Sequence, residues 1–417
     1  MNNQPDNTRM HTFDNGLTLV SECNHGVQSA TLRCLIPAGA VFEDIHNLGA
    51  SSVCAEMLMR GAGALDSRQQ ADAFDRAGAL RDIDNSIRYM QIGVTTLGHR
   101  IDEGVPLLME NVRRPRMAPE SFAPARELAL QGVASLGDDP QQRAALAARD
   151  RHLPAPYNRS TLGTAEGISN LTHDALCRWW DTHACPGGTV ISAAGDVDHD
   201  TLVGALGEAI TGWDGQVGMP APQSDPGRGY AHLDDDSSQV QIMIVHDAPK
   251  QGHPDNHLEK LAIAVLSGGM SGRLFTEVRE KRALCYAVSS SYRADKDRGV
   301  VTNYVGTTPE RAQESLDVLH AEIRRINAGD VTQDELTRAC TGLKSRLIFA
   351  GESTRARAGA IAADLINLGR VRTLEEIVDQ LSTVTLDELN SYLRRRELGP
   401  LTVQTLGPSA LSAPRGV

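Results

Sequence analysis

The same order of predicted elements occurs twice in this chain, on either side of a break rich in Gly, Pro and Asp. The break, residues 215–237, includes Gly218-Met219-Pro220 and Asp234-Asp235-Asp236. It lacks helical or strand periodicity, so we interpret it as a linker. It separates a predicted N-terminal domain, 1–214, from a C-terminal domain, 238–417. A repeated order of elements predicts two similar domains; two unrelated domains of the same class are the alternative.

Each half opens with an apolar strand and a helix, continues through two long amphipathic helices, and closes with a helix followed by a strand. In the first half these runs include Ala30–Pro37, Asn47–Arg60, Ile101–Arg113, Pro119–Leu136 and Gly188–Gly195; in the second they include Gln239–Val245, Asn256–Ser267, Pro309–Ile326, Thr332–Phe349 and Leu401–Gly407. Thr172 and Thr385 are typical N-caps of the two closing helices, because acidic residues follow each in the first turn. The predicted fold class is therefore α+β, with two homologous domains, each a mixed β-sheet packed with α-helices.

Charge and hydropathy exclude several classes of function. The net charge is −12 and there is no dense Lys/Arg run, so we expect no nucleic-acid partner. No apolar run approaches the ~20 residues that span a bilayer, and the polar segment Met1–Met10 lacks the pattern of a signal peptide. We expect a cytoplasmic protein without a membrane partner, unless a leader has been removed. The seven cysteines form no Cys-x-x-Cys, which favours scattered, reduced thiols over a disulfide or a metal site.

Residues 47–61 read Asn-Leu-Gly-Ala-Ser-Ser-Val-Cys-Ala-Glu-Met-Leu-Met-Arg-Gly. This segment resembles the zinc-binding helix of the pitrilysin and mitochondrial processing peptidase family, which reads Gly-x-x-His-x-x-Glu-His-Met-x-x-x-Gly. In that inverted motif two His ligands lie at i and i+4, and the Glu between them activates the zinc-bound water. Met57 and Gly61 set the alignment, which places Ser52 and Glu56 at the His positions and Ala55 at the Glu.

The remaining parts of the family's zinc site are also replaced. A shift by one residue, which matches Glu56 to the Glu, places Val53 and Met57 at the His positions. The family's third ligand is a Glu eight residues before the Pro of an Asp-Asp-Pro-like turn; that turn is Asp138-Asp139-Pro140, and the ligand position is Gly132. A hydrolytic zinc needs three protein ligands and a water. The resemblance therefore implies a chain without a metal or cofactor of its own, which is not catalytic alone.

Three other patterns could carry chemistry, and each has a simpler interpretation. His253 and His257 have i, i+4 spacing, but Pro254-Asp255-Asn256 between them indicates a loop with a helix cap rather than a metal-binding helix. Ser51-Ser52 could supply a nucleophile, but no motif places a His or an acid near it. Gly268-Gly269 could begin a phosphate-binding loop, but no Gly-Lys-Ser/Thr follows.

The segment from Leu266 to Val288 contains Arg273-Leu274-Phe275 and then Arg279-Glu280-Lys281-Arg282-Ala283-Leu284-Cys285-Tyr286. It closely resembles the family's C-terminal-domain signature, a Gly-rich turn followed by Ser-Arg-Leu-Phe and Arg-Glu-Lys-Arg-Gly-Leu-Ala-Tyr. Gly272 replaces the usual Ser, and Ala283 replaces a Gly. In the family, the Arg and the Tyr seven residues later bind the substrate backbone and polarise the scissile carbonyl. The resemblance assigns these substrate-binding roles to Arg279 and Tyr286; a solvated helix residue and a half-buried strand residue are the alternative.

The resemblance covers roughly Thr12–Pro408 and implies a function. Short members of the family pair as a clam-shell in which a zinc-bearing chain cleaves and its partner supplies the Arg/Tyr pair. This chain matches the partner, so we expect a heterodimer with a zinc-bearing His-x-x-Glu-His homologue, which cleaves unfolded peptides as a zinc metalloendopeptidase. The alternatives are a purely structural scaffold subunit and a homodimeric peptide-binding protein without catalysis.

Overall fold

The computed structural model describes residues 7–415; residues 1–6 of the polar segment Met1–Met10 lie outside it. The strands are β1 Thr8–Thr12, β2 Thr18–Cys23, β3 Ser29–Ile36, β4 Gly61–Ala62, β5 Leu65–Asp66, β6 Leu80–Asn85, β7 Met90–Leu97, β8 Val190–Gly195, β9 Gly229–Asp234, β10 Val240–Ala248, β11 Cys285–Ala294, β12 Gly299–Thr307 and β13 Thr402–Gly407. The helices are α1 Ala50–Leu58, α2 Ser67–Arg76, α3 Ile101–Arg113, α4 Pro119–Ala134, α5 Pro140–His152, α6 Ala165–Asn170, α7 His173–His183, α8 His199–Ala209, α9 Asn256–Ser267, α10 Ala312–Asn327, α11 Gln333–Gly351, α12 Thr354–Leu368, α13 Leu374–Ser382 and α14 Leu386–Arg395. A π-helix, Phe275–Glu280, lies between α9 and β11.

The chain divides into two compact units that are not continuous in sequence. One unit holds the chain up to Ser135, then Arg159–Gln223 and Ala350–Arg372. The other holds Leu136–Asn158, Ser224–Phe349 and the chain from Thr373 onward. The first unit therefore takes α12 from the C-terminal half, and the second takes α5 from the N-terminal half.

The first unit contains a six-stranded sheet in the order β1-β2-β8-β3-β7-β6. The pair β2–β8 is parallel and the others are antiparallel. Helices α1, α3, α4 and α8 supply apolar side chains to its main core, which includes Met57, Leu108 and Leu206 together with Leu32 and Ile92 of the sheet. Helix α1, which resembles the family's zinc-binding helix, is anchored in this core by Val53, Met57 and Leu58.

The second unit repeats the strand order of the first. Its sheet runs β9-β13-β10-β12-β11. The pair β9–β13 is parallel, and β13–β10, β10–β12 and β12–β11 are antiparallel. This is the same series as β2-β8-β3-β7-β6, pair by pair. The predicted duplication of a mixed α+β domain is therefore confirmed.

Helices α12 and α5 occupy equivalent places in the two units. In the first, α12 packs on β8, β3 and β2, where Ile361 is buried with Val20 and Leu35, and Arg357 binds the Glu22 carboxylate through both Nε and Nη2. In the second, α5 packs on β10 and β13, where Ala148 is buried with Met243. The boundaries 1–214 and 238–417 remain a prediction about the repeat, since the compact units group residues by contact.

Most predicted elements form, with differences at their ends. Helices α3 and α9 have the predicted bounds, and Thr172 and Thr385 accept the predicted capping hydrogen bonds from the N–H groups of Ala175 and Glu388. The prediction that residues 215–237 form a linker is wrong in its last third, because β9 pairs there with β13. The mix of Gly and Asp in this segment gave no sign of an edge strand.

Within residues 7–415, no helix combines the length and apolar character needed to cross a membrane.

Candidate functional site

Helix α1 presents the former zinc positions on its half-exposed face. Ser52, Ala55 and Glu56 lie on this side, whereas Val53 and Met57 are fully buried in the core. An alignment shifted by one residue would place both ligands inside the core. The alignment in which Ser52 and Glu56 take the two His positions places both residues on the half-exposed face and remains a prediction.

The carboxylate of Glu43 holds the start of α1. It is 4% exposed and accepts hydrogen bonds from the N–H groups of Gly49 (2.9 Å) and Ser51 (2.8 Å) and from the Ser51 hydroxyl (2.6 Å). Burial raises the pKa of Glu43, while these hydrogen bonds oppose the shift. Ser51 thus has a structural role at the helix terminus. The sequence did not reveal this cap because Glu43 lies outside α1.

Gly132, the third ligand position, lies on α4, which packs against α1. A Cβ added there would meet only the Leu162 side chain, at 4.0 Å, so a larger residue could be accommodated. The residues present do not fit zinc, since Ser52, Ala55 and Gly132 offer no imidazole, thiolate or carboxylate. In the described part of the chain, no three His, Cys, Asp or Glu residues converge as a metal site.

The alternative metal pair, His253 and His257, lies around the start of α9. The Nδ1 atom of His253 accepts a hydrogen bond from the N–H of Asp255 (3.1 Å), whereas Nδ1 of His257 lies 3.2 Å from the Gln380 amide nitrogen. Each histidine is thus engaged by a different neighbour. This pair is a surface feature around the start of α9.

Arg279 lies on the π-helix. The Lys281 N–H donates to the carbonyl of Thr276, five residues earlier, at 3.0 Å, and this wider turn defines the π-helix. Leu274 and Val278 anchor the segment in the core. Arg279 is exposed, and its Cζ lies 4.9 Å from the centre of the Phe275 ring. Single-turn π-helices occur frequently at functional sites.

Tyr286 lies at a β-bulge on the edge strand β11. Cys285 pairs with Thr307 and Ala287 with Gly306, so Tyr286 has no partner residue on β12. Its side chain is 75% exposed, which differs from the half-buried strand residue considered above. Burial raises the pKa of the neighbouring Cys285 thiol to about 11, and the charge of Arg279 opposes that shift. The N–H of Ala283 donates to the carbonyl of Arg279 at 3.0 Å, so a single turn joins Arg279 to the strand that carries Tyr286.

The other basic groups of the motif are paired with carboxylates. Arg273 is 7% exposed and binds Glu335 through Nε (2.6 Å) and Nη2 (2.8 Å), and Asp330 through Nη1 (2.5 Å). Burial raises the pKa of Glu335, but these hydrogen bonds outweigh it and bring the pKa to about 2. Lys281 and Arg282 both bind Glu277. Among the described residues, Arg279 is the cation of this motif without a carboxylate partner.

Known proteins are similar to this chain over nearly its whole length. Residues 170–343 match the family described as "Peptidase M16 inactive domain". An uncharacterized zinc protease of Mycobacterium bovis is 26% identical over 411 residues, which cover 96% of this chain and 93% of the relative. The chain therefore carries a domain of the peptidase M16 (pitrilysin) family at residues 170–343.

Solved structures are also similar to this chain in their fold. A crystal structure of a peptidase M16 inactive domain from Pseudomonas fluorescens has a TM-score of 0.86 at 21% identity, with 98% of this chain and 99% of that chain covered. A chain of complex III2 from Candida albicans has a TM-score of 0.81 at 18% identity, with 96% of each chain covered. Both structures share the fold of this chain, and residues 170–343 match the inactive domain of peptidase M16.

Proposed function

We propose that this chain is the zinc-less subunit of a heterodimeric peptidase. It pairs with a zinc-bearing homologue and contributes Arg279 and Tyr286 to the binding of an unfolded peptide substrate. The observation that carries the proposal is the contrast between the two halves of the chain. The metal positions have lost their ligands, whereas the motif keeps an unpaired guanidinium and an exposed phenol on neighbouring elements.

Both groups suit a peptide carbonyl. Hydrolysis of a peptide develops negative charge on the carbonyl oxygen, and donors aimed at that oxygen lower the barrier. The guanidinium of Arg279 and the hydroxyl of Tyr286 are donors of this kind, and neither has to break an ion pair to reach a substrate. The hydrolytic step itself belongs to the partner subunit.

An extended peptide is the substrate that this arrangement favours. A peptide added as a strand at a sheet edge satisfies its backbone through main-chain hydrogen bonds, which suits unfolded chains of varied sequence. We place the heterodimer in the cytoplasm, a setting in which the seven free cysteines remain reduced.

The first test is peptide cleavage by this chain alone, by its zinc-bearing homologue alone and by the two mixed. Cleavage only, or mainly, in the mixture supports the proposal. Chelator-sensitive cleavage by a rigorously pure preparation of this chain alone would contradict it.

Variants of the mixed dimer separate an active-site contribution from a scaffold. Arg279→Ala and Tyr286→Phe are each expected to lower kcat/KM by about a hundredfold, the usual effect of removing one such donor. Arg293→Ala, which removes another exposed arginine from β11, is the matched control and should leave turnover unchanged. A scaffold subunit would tolerate all three substitutions.

A further inference from the structure

We infer that Phe275 and Glu277 are positioning residues that leave Arg279 as the single free cation of the motif and fix its direction. The inference rests on the proposed role of Arg279 and names the two residues that support it. The Phe275 ring supplies a surface on which the Arg279 guanidinium lies. Glu277 binds the neighbouring cations that would otherwise compete with Arg279 for a substrate. Each part follows from contacts within the π-helix and the elements beside it.

Phe275 and Arg279 are stacked by the local geometry. In the π-helix the aromatic ring lies under the guanidinium, with 4.9 Å between Cζ and the ring centre. A cation over an aromatic face is attracted to the negative charge of that face. The ring itself is half-buried, and its neighbour Leu274 is fully buried. The aromatic surface therefore belongs to the rigid part of the unit and restricts a side chain that would otherwise sample many rotamers.

Glu277 binds the two cations that follow this pair in the sequence and lies near a third. Its side chain is 15% exposed and accepts hydrogen bonds from Lys281 Nζ (2.7 Å) and Arg282 Nη1 (2.9 Å), with Arg325 Nη1 at 4.0 Å. The hydrogen bonds from Lys281 and then Arg282 lower the pKa of Glu277, so the carboxylate remains charged at neutral pH. Lys281 and Arg282 are thus held at Glu277 and do not compete with Arg279 for a substrate.

The arrangement leaves one cation near the bulge at Tyr286. The turn closed by the hydrogen bond from the Ala283 N–H to the Arg279 carbonyl (3.0 Å) leads directly from Arg279 to β11, which begins at Cys285. A group already held in its working direction loses less entropy when substrate binds than a freely moving one. Phe275 and Glu277 therefore act through Arg279 and need not touch the substrate.

The chain alone gives a test that needs no partner. With phenylglyoxal as the arginine reagent and mass spectrometry as the readout, Arg279 is expected to react several times faster than Arg282 and Arg273. In Glu277→Gln, Arg282 should approach the rate of Arg279, and in Phe275→Leu, Arg279 should react about threefold faster because the ring no longer holds it. Equal rates for Arg279 and Arg282 in the unaltered chain would overturn the inference.

Turnover by the mixed dimer tests the positioning role. Phe275→Leu, which keeps an apolar side chain but loses the aromatic face, is expected to lower kcat/KM about fivefold, and Phe275→Tyr should retain it. In an Arg279→Ala background, Phe275→Leu should have no further effect. An equal loss in both backgrounds would show a merely structural role and overturn the inference, while leaving the proposed function intact. If Arg279→Ala itself leaves turnover unchanged, the proposed function fails, and the inferred positioning role fails with it.

Discussion

The backbone N–H of Ala283 donates to the carbonyl oxygen of Arg279 at 3.0 Å and closes a turn in which Ala283 has a φ of +50°. A side chain with a Cβ is strained in this left-handed region, whereas Gly adopts it freely. The Ala283→Gly variant is therefore expected to raise the free energy of unfolding by about 1 kcal/mol. Urea denaturation followed by circular dichroism measures the change.

Ala287→Gly is the matched control for this prediction. Ala287, on β11, pairs with Gly306 just after the bulge, and its φ is not positive, so Gly gains nothing there. This substitution should lower the free energy of unfolding by ~0.5–1 kcal/mol. A loss of stability in Ala283→Gly as large as that in Ala287→Gly would show that the turn does not strain Ala283.

Restoring four side chains should restore a metal site. The variant Ser52→His, Ala55→Glu, Glu56→His, Gly132→Glu places two imidazoles and a carboxylate ligand on the half-exposed faces of α1 and α4, where a Cβ at position 132 has space. We expect it to retain about one zinc per chain after dialysis, as three-ligand protein sites do. Metal analysis of the dialysed protein gives the result.

A shifted variant tests the alignment behind that prediction. Val53→His with Met57→His and Gly132→Glu keeps the native Glu56, but both imidazoles replace fully buried core side chains. It should unfold more easily, by several kcal/mol, and retain no zinc. If the shifted variant bound zinc and the first did not, the assignment of Ser52 and Glu56 to the ligand positions would be wrong.

Stability should fall with acidity because of His246. This side chain is fully buried on β10, and burial followed by the charge of Arg396 lowers its pKa to about 4; Glu259, Asp247 and His152 complete its surroundings. The unfolded chain, with a pKa near ~6.5, binds the proton first as the pH falls, so the folded state loses about 2 kcal/mol between pH 7 and pH 5. Urea midpoints at the two pH values measure the loss.

His246→Asn isolates that contribution. Asparagine can still donate to the Asp247 carbonyl that Nδ1 of His246 reaches at 2.9 Å, but it does not titrate. The variant should lose less stability between pH 7 and pH 5 than the unaltered chain, by about 2 kcal/mol. Identical pH dependence of the two proteins would mean that other groups carry the effect.

The sequence predicted the fold well wherever a local pattern determined it. Amphipathic periodicity located α3 and α9, and the repeated order of elements revealed the duplication. The exchange of α5 and α12 had no local signal, since each helix is amphipathic whichever sheet it covers. Strand β9 was also missed, because its pairing with β13 depends on a partner more than 160 residues away.

The sequence predicted which residues form the candidate site, but it did not predict the backbone geometry that presents them. Motif spacing pointed to Arg279 and Tyr286, while the π-helix and the β-bulge that present them depend on packing and strand register. The pairing of Glu277 with Lys281 and Arg282 had a weak signal in its i+4 and i+5 spacing. The substrate-binding roles of Arg279 and Tyr286 remain proposals that the variants above will decide.

Each compact unit is covered by a helix from the other half of the sequence, α12 in the first unit and α5 in the second. This exchange has a consequence for the gene. A reading frame cut at the linker would yield two polypeptides, each lacking the helix that covers its own sheet and carrying one that belongs to the other. Alone, the N-terminal fragment would leave Glu22 without Arg357 and expose the apolar surface around Val20 and Leu35. The fragments would have to be made together to become soluble. The helix exchange therefore constrains the gene to keep its two halves together, in one reading frame or in joint expression.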